Sequence, residues 1–147
     1  MKSMVKVQGI EQLIKNIKNL SVELDRTNKN VFNQEADKLV RVMKGKAPQD
    51  KGNIRDAIRK KIWKDENGVI GIVVGITKES SEKHPEFQVG RDKKSYYPAS
   101  QEYGWEYPKG VFHKPHPYVR PAFDENVNQV KAKVKKEYKG VIDRAGQ

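Results

Sequence analysis

The chain has 147 residues, 35% hydrophobic and 33% charged, with 30 Lys and Arg against 19 Asp and Glu for a net charge of +11. That length supports one domain with a real but thin core and is too short for two ordinary ones, so residues 1–147 read as a single unit. The absence of Cys excludes disulfides and thiolate metal sites. Met1–Ile10 has neither an apolar stretch nor a cleavage-like site, and no apolar run approaches the roughly 20 residues of a bilayer span, so the chain is expected to be soluble and unsecreted.

From the N-terminus, Ile10, Leu13, Ile14, Ile17 and Leu20 follow the i, i+3, i+4 rule and predict a short first helix after Gly9. Phe32, Ala36, Leu39, Val40 and Met43 share one stripe and predict a second helix over 22–44, ended by Gly45 and Pro48. The turn-rich junction 47–55 could start one helical turn at Asn53. Alternation then predicts a strand over 57–64, the tight turn Asp65-Glu66-Asn67-Gly68, and a central, strongly apolar strand over 69–76. Gly71 and Gly75 in that strand indicate close approach of another backbone or a bulge, since no Lys-Ser or Lys-Thr follows them as a phosphate loop requires.

Residues 77–95 are polar and charged, with only Phe87 and Val89 to bury, and read as an extended charged loop or arm that orders on a partner. Tyr96, Tyr97, Ala99 and Tyr103 predict a brief helical turn closed by Gly104, followed by a second hairpin over 105–113. Phe123, Val127, Val130, Val134, Tyr138 and Val141 give the last helix one continuous apolar face, with Asp124 and Glu125 in its first turn and lysines further on. The expected fold is α+β: an antiparallel sheet of about four strands with two N-terminal helices and one long C-terminal helix packed on it.

Chemistry-bearing constellations are missing from this pattern. His113 and His116 are separated by Pro115, which prevents a helical ligand face, and His84 is remote in sequence. The adjacent pairs Asp65-Glu66 and Asp124-Glu125 diverge in a turn and a helix, and Ser80 and Ser81 lack a nucleophile setting. No catalytic residue, metal or cofactor is therefore expected. The aromatic group Tyr96, Tyr97, Tyr103, Trp105, Tyr107, Phe112 and Tyr118 fits core, a protein interface, or, with Lys93, Lys94, Lys109 and Lys114 interleaved, a surface for single-stranded nucleic acid. The positive charge steers toward polyanions or acidic protein surfaces and does not choose between them.

His116-Pro117-Tyr118-Val119-Arg120-Pro121-Ala122-Phe123 turns extended chain into helix: each proline disfavours helix in the residue before it, and Pro121 suits a first helical turn. Three passages, Ala47-Pro48-x-Asp50-x-Gly52-x-Ile54-Arg55-x-x-Ile58, Tyr97-x-Ala99-x-x-Glu102-Tyr103-Gly104 and His116-Pro117-Tyr118-x-Arg120-Pro121-Ala122, together resemble the tail-component family of long-tailed double-stranded DNA phages, the head–tail joining or tail-completion proteins. Lys51, Ala57 and Trp105 depart from that pattern at positions that bear on local capping.

The resemblance implies a non-enzymatic virion protein of the neck or head-proximal tail end, made in the host cytoplasm. It implies assembly as a homo-oligomeric ring, with six subunits as one candidate number, against neighbouring connector and tail proteins and away from membranes. Within that reading Glu102, Gly104, Arg120 and Pro121 form a structural joint, with Glu102 and Arg120 as a cross-element pair. Lys83, His84, Phe87, Trp105, Tyr107 and Tyr118 are interface candidates, and Lys131, Lys133, Lys135 and Lys136 are candidates for non-specific contact with packaged DNA in a channel. A basic nucleic-acid-binding module is the alternative, and a small nuclease the third reading.

Overall fold

The computed structural model describes residues 9–49, 51–106 and 110–146. It opens with α1 (Ile10–Lys46), one helix of 37 residues in place of the two expected. Between Ile10 and Lys44 there is neither Gly nor Pro, so nothing interrupts the ladder where the two apolar stripes meet. It ends at Ala47, whose extended backbone (φ −63°, ψ 146°) is the conformation favoured before Pro48.

A single turn, α2 (Asn53–Ala57), follows Gly52, which holds φ 74°. Its chain runs directly into β1 (Ile58–Lys64), which pairs antiparallel with β2 (Ile70–Ile76) from Ile58 opposite Ile76 to Lys64 opposite Ile70. The turn between them is closed by Asp65, whose carboxylate accepts the Val69 N–H at 2.7 Å, and by Gly68 at φ 84°. One face of this hairpin lies on α1: Lys60 donates to Asp37 at 2.7 Å and to Asn33 at 3.0 Å. Gly71 does not admit another backbone, as the sequence suggested; it makes room for Trp63, whose indole lies 2.2 Å from where a Cβ would stand.

The expected four-stranded sheet is not formed. The strands make three separate antiparallel pairs: β1–β2, β3 (Gln88–Val89) with β4 (Ser95–Tyr96), and β5 (Trp105–Glu106) with β6 (Phe112–His113). Thr77 stops the long hairpin from being extended, because its side chain accepts the Ser80 N–H at 3.2 Å and caps α3 (Lys78–Glu82). The stretch 77–95, expected as an extended charged arm, is instead folded onto the body. It carries α3, a 3-10 turn at Pro85–Phe87 and the β3–β4 ladder. Ser80 donates its hydroxyl to the Ala57 carbonyl, and Phe87 is completely buried.

After α4 (Tyr97–Tyr103) and the β5–β6 pair, the chain closes with α5 (Val119–Ala145), 27 residues antiparallel to α1. Cross-pairs fix the register: Lys46 to Glu125, Lys38 to Gln129, Lys133 to Glu35, Tyr138 to Asn28 and Arg144 to Glu23. Most of these pairs are solvent-exposed, so each aligns the helices while adding only about 0.2–1 kcal/mol. The core is small and one-ended. Met43, Ala47, Ile54, Ala57, Ile58, Phe87, Tyr118 and Ala122 form one buried cluster.

Candidate functional site

That cluster draws on passages far apart in sequence. Ala47, Ile54, Ala57 and Ile58 come from the first of the three passages, and Tyr118 and Ala122 from the last. Ala57 and Ala122 are fully buried, which leaves no room for larger side chains where α2, α5 and the Phe87 turn meet. Ala47, Ile54, Ile58, Tyr118 and Ala122 of the quoted passages are thus packing positions, and the chemistry of the site is that of a joint.

The joint is built around Glu102, in the last turn of α4 and only 8% exposed. Its Oε2 accepts the N–H groups of Tyr118 at 2.8 Å and Val119 at 3.0 Å, and its Oε1 accepts the N–H of Arg120 at 3.0 Å. A helix start leaves its first N–H groups without intrahelical acceptors, and Tyr118 at the cap position supplies no side-chain acceptor of its own. Glu102 provides it from another element, and its negative charge lies at the positive end of the α5 dipole. The His116 N–H adds a bond to the Gln101 carbonyl at 2.7 Å.

Gly104 lets the chain turn away at once. It holds φ 77°, and a Cβ there would fall 2.6 Å from the His113 carbonyl oxygen. Pro121 lies in the first turn of α5, two residues after its start at Val119, where its missing N–H is no loss. The expected Glu102–Arg120 pair therefore exists through the Arg120 main chain and not its guanidinium, and the Arg120 side chain is exposed. Burial, with the Glu102 carboxylate as the next contribution, pushes the Tyr118 hydroxyl well above the ordinary tyrosine range, so it stays neutral.

The other residues singled out from sequence are dispersed around this joint. Phe87 and Tyr118 are buried in the core and cannot present themselves to a neighbour. His84 stacks on Phe87 with ring centroids 4.9 Å apart, and its Nδ1 lies 2.8 Å from a Glu86 carboxylate oxygen, a hydrogen bond that lowers the Glu86 pKa. Lys83 is exposed and sits 3.9 Å from Glu79. Trp105 stacks flat on His113 at 4.4 Å, so this histidine is a ring partner. Tyr107 lies outside the described residues. On α5, Lys131, Lys135 and Lys136 are exposed, whereas Lys133 turns to α1 and bonds Gln34 and Glu35 at 2.9 and 2.8 Å.

Between the 47–54 junction and the Phe87 turn lies a cleft of about 320 Å³ lined by Pro48, Lys51, Gly52, Ile54, Phe87 and Tyr97 among others. Its walls are mostly apolar, and none of its residues forms a nucleophile–base pair. Among the described residues no three of His, Asp and Glu converge as metal ligands, and no helix is long and apolar enough to cross a membrane.

Two features were missed from sequence. The capping role of Glu102 had one signal: Tyr118 is a poor helix cap, so an acceptor had to come from elsewhere. The other is apolar surface left uncovered on Ile10, Leu13, Ile14 and Ile17 of α1 and on Trp63 and Val73 of the hairpin. The sequence pattern shows that such faces exist and not what lies opposite them.

Comparison with family models matches residues 11–107, two thirds of the chain, to the HK97-gp10-like family, described as "Bacteriophage HK97-gp10, putative tail-component". The match takes in the first two of the three passages, and the third, at 116–122, lies beyond it. Comparisons with curated proteins and with solved structures gave no match. On the family match, the chain belongs to the HK97-gp10-like family of phage tail components.

Proposed function

We propose that this tail component is a tail-completion or head–tail joining subunit of the phage neck, assembled with copies of itself into a ring. The observation that supports it most is the amount of apolar surface outside so small a core. Ile10, Leu13, Ile14, Ile17, Trp63, Val73, Tyr103, Phe112 and Phe123 are each about half exposed or more. Patches of this kind on a strongly charged chain mark surfaces that are covered in an assembly. The Glu102 joint fits the same role, because it fixes α5 rigidly against the body so that the faces keep their spacing.

In this reading Tyr103, Phe112 and Trp105, on the joint side, meet the adjacent connector or tail protein. Labelling the protein in virions and following tail joining in its absence tests the reading. Label at the head-proximal tail end and unjoined heads and tails are the expected results; label along the tail tube or at its tip, with joining intact, would overturn it.

A second reading concerns DNA. Lys131, Lys135 and Lys136 are exposed and have no carboxylate within ion-pairing distance among the described residues; Lys131 and Lys135, four apart, share the side of α5 opposite Lys133, and Lys136 stands on its flank. Exposed lysines of this kind suit non-specific contact with a phosphate backbone inside a ring. Replacing the three by Glu is expected to alter DNA retention or ejection while the ring still forms. Unchanged retention and ejection would contradict the channel placement, and steep salt-dependent DNA binding by the isolated subunit would favour a nucleic-acid-binding module.

A further inference from the structure

We propose that a second cleft, between β1 and α3, is a binding site for a phosphate group. The site belongs to the single subunit and does not depend on the ring.

The cleft measures about 250 Å³, and its lining includes Arg59 and Lys61 of β1 and Lys83 and His84 just beyond α3. Alternation along β1 directs the first two. Lys60 turns to α1, where it donates to Asp37 at 2.7 Å, so its neighbours Arg59 and Lys61 turn to the other side. Across the ladder from Arg59 stands Gly75, with nothing within 4 Å of where a Cβ would be, and no cross-strand side chain crowds the guanidinium. Arg59 gives one N–H to the Ile58 carbonyl at 2.9 Å, which leaves most of its fork for a ligand.

The opposite wall is pinned by buried contacts. Thr77 caps α3 through the Ser80 N–H, and Ser80, 9% exposed, donates its hydroxyl to the Ala57 carbonyl just before β1. His84 stacks on the fully buried Phe87 and bonds Glu86. Lys83 is thus carried to the cleft between two fixed points, Ser80 and His84, and not on a loose loop.

The charges gathered there are unmatched. Among the described residues neither Arg59 nor Lys61 has a carboxylate within ion-pairing distance, whereas Lys60 between them has Asp37. Glu79 is the carboxylate at the cleft; it lies 3.9 Å from Lys83 with both side chains more than 70% exposed, and such a pair is weak. Bringing cations from positions 59, 61 and 83 to one cleft costs repulsion that a bound anion removes. The donors come from two walls. The tetrahedral oxygens of a phosphate accept from several directions, while a carboxylate accepts in one plane, so phosphate is the anion that fits.

Calorimetric titration of the native chain with inorganic phosphate at low ionic strength tests the site. Saturable binding of one phosphate per chain is expected. Lys61→Glu with Lys83→Glu should weaken it by about tenfold or more, and Lys61→Gln with Lys83→Gln by less. Lys15→Glu with Lys18→Glu, the same change of charge at exposed positions of α1, should leave it within about twofold. No saturable binding, or equal weakening by the two Glu pairs, would overturn the proposal. A glutamate-rich peptide that the native chain binds more tightly than phosphate, and the cleft pair releases, would overturn it in favour of an acidic protein segment. A short DNA duplex then reads the source of the phosphate: a loss of duplex affinity in the cleft pair beyond that in the α1 pair supports a site for backbone phosphates, and equal losses support a site for a free phosphate.

Discussion

The two ends of α1 carry one hydrophobic spacing and meet opposite surroundings. From residue 23 on the helix has α5 along one side and, at Asp25, Asn33 and Asp37, the hairpin on another, and Val31, Glu35, Ala36 and Met43 are buried. Over residues 10–22 Ile10, Leu13, Ile14, Ile17 and Val22 are left exposed by the described residues. What decides burial is the element opposite, and α5 ends beside residue 23 of α1. The buried end carries the folding of the subunit, and under the proposed function the open end is available for assembly. Substitutions at the two ends should therefore separate stability from association.

The largest loss is expected within the core. Phe87→Ala empties the fully buried site between His84, Tyr96 and the α2–β1 junction and is expected to cost roughly 3–5 kcal/mol, read as a fall in the denaturation midpoint. Glu102→Ala comes next, since it strips acceptors from three main-chain N–H groups at the start of α5; about 2–4 kcal/mol is expected, with Glu102→Gln keeping part of it.

A smaller effect lies at high pH. The Tyr118 hydroxyl is raised in the folded state by burial first and by Glu102 second, so its contribution is fully present below the unfolded tyrosine value of about 10 and is lost as pH rises beyond it. Stability measured across that range should fall, and Tyr118→Phe should flatten the fall. At the open end the expected effect on stability is the smallest: Ile14→Asp with Ile17→Asp should shift monomer unfolding by less than about 0.5 kcal/mol while dispersing the oligomer. A large loss of monomer stability there would erase the distinction between the two ends.

Much of this molecule was legible in its sequence, and the failures share a cause. The first hairpin and the closing helix are written in strict local periods, with Asn67-Gly68 marking the turn, and both stand where expected. The merging of two predicted helices into α1 was also local information, since nothing between the stripes breaks a helix. What remained hidden depended on tertiary contact. The charged stretch 77–95 looked like an arm because it has so few apolar residues, yet one of them, Phe87, fills the centre of the core and pulls the segment in. The strands do not merge into one sheet: Thr77 caps α3 and turns the chain away at the end of the first hairpin, and the later strands are only two residues long.

The joint was legible in part. Glu102, Gly104, Arg120 and Pro121 do come together, but a carboxylate followed by an arginine reads as an ion pair in sequence. Only the backbone path shows that the carboxylate serves three N–H groups.

The proposal that this phage tail component assembles with copies of itself, using apolar surface left exposed on α1, is tested most directly by the mass of the native chain in solution beside that of the Ile14→Asp, Ile17→Asp variant. A single closed multiple of the 16.9 kDa subunit is expected for the native chain, and a folded monomer for the variant. The same multiple for both, or a monomer for both, would contradict it.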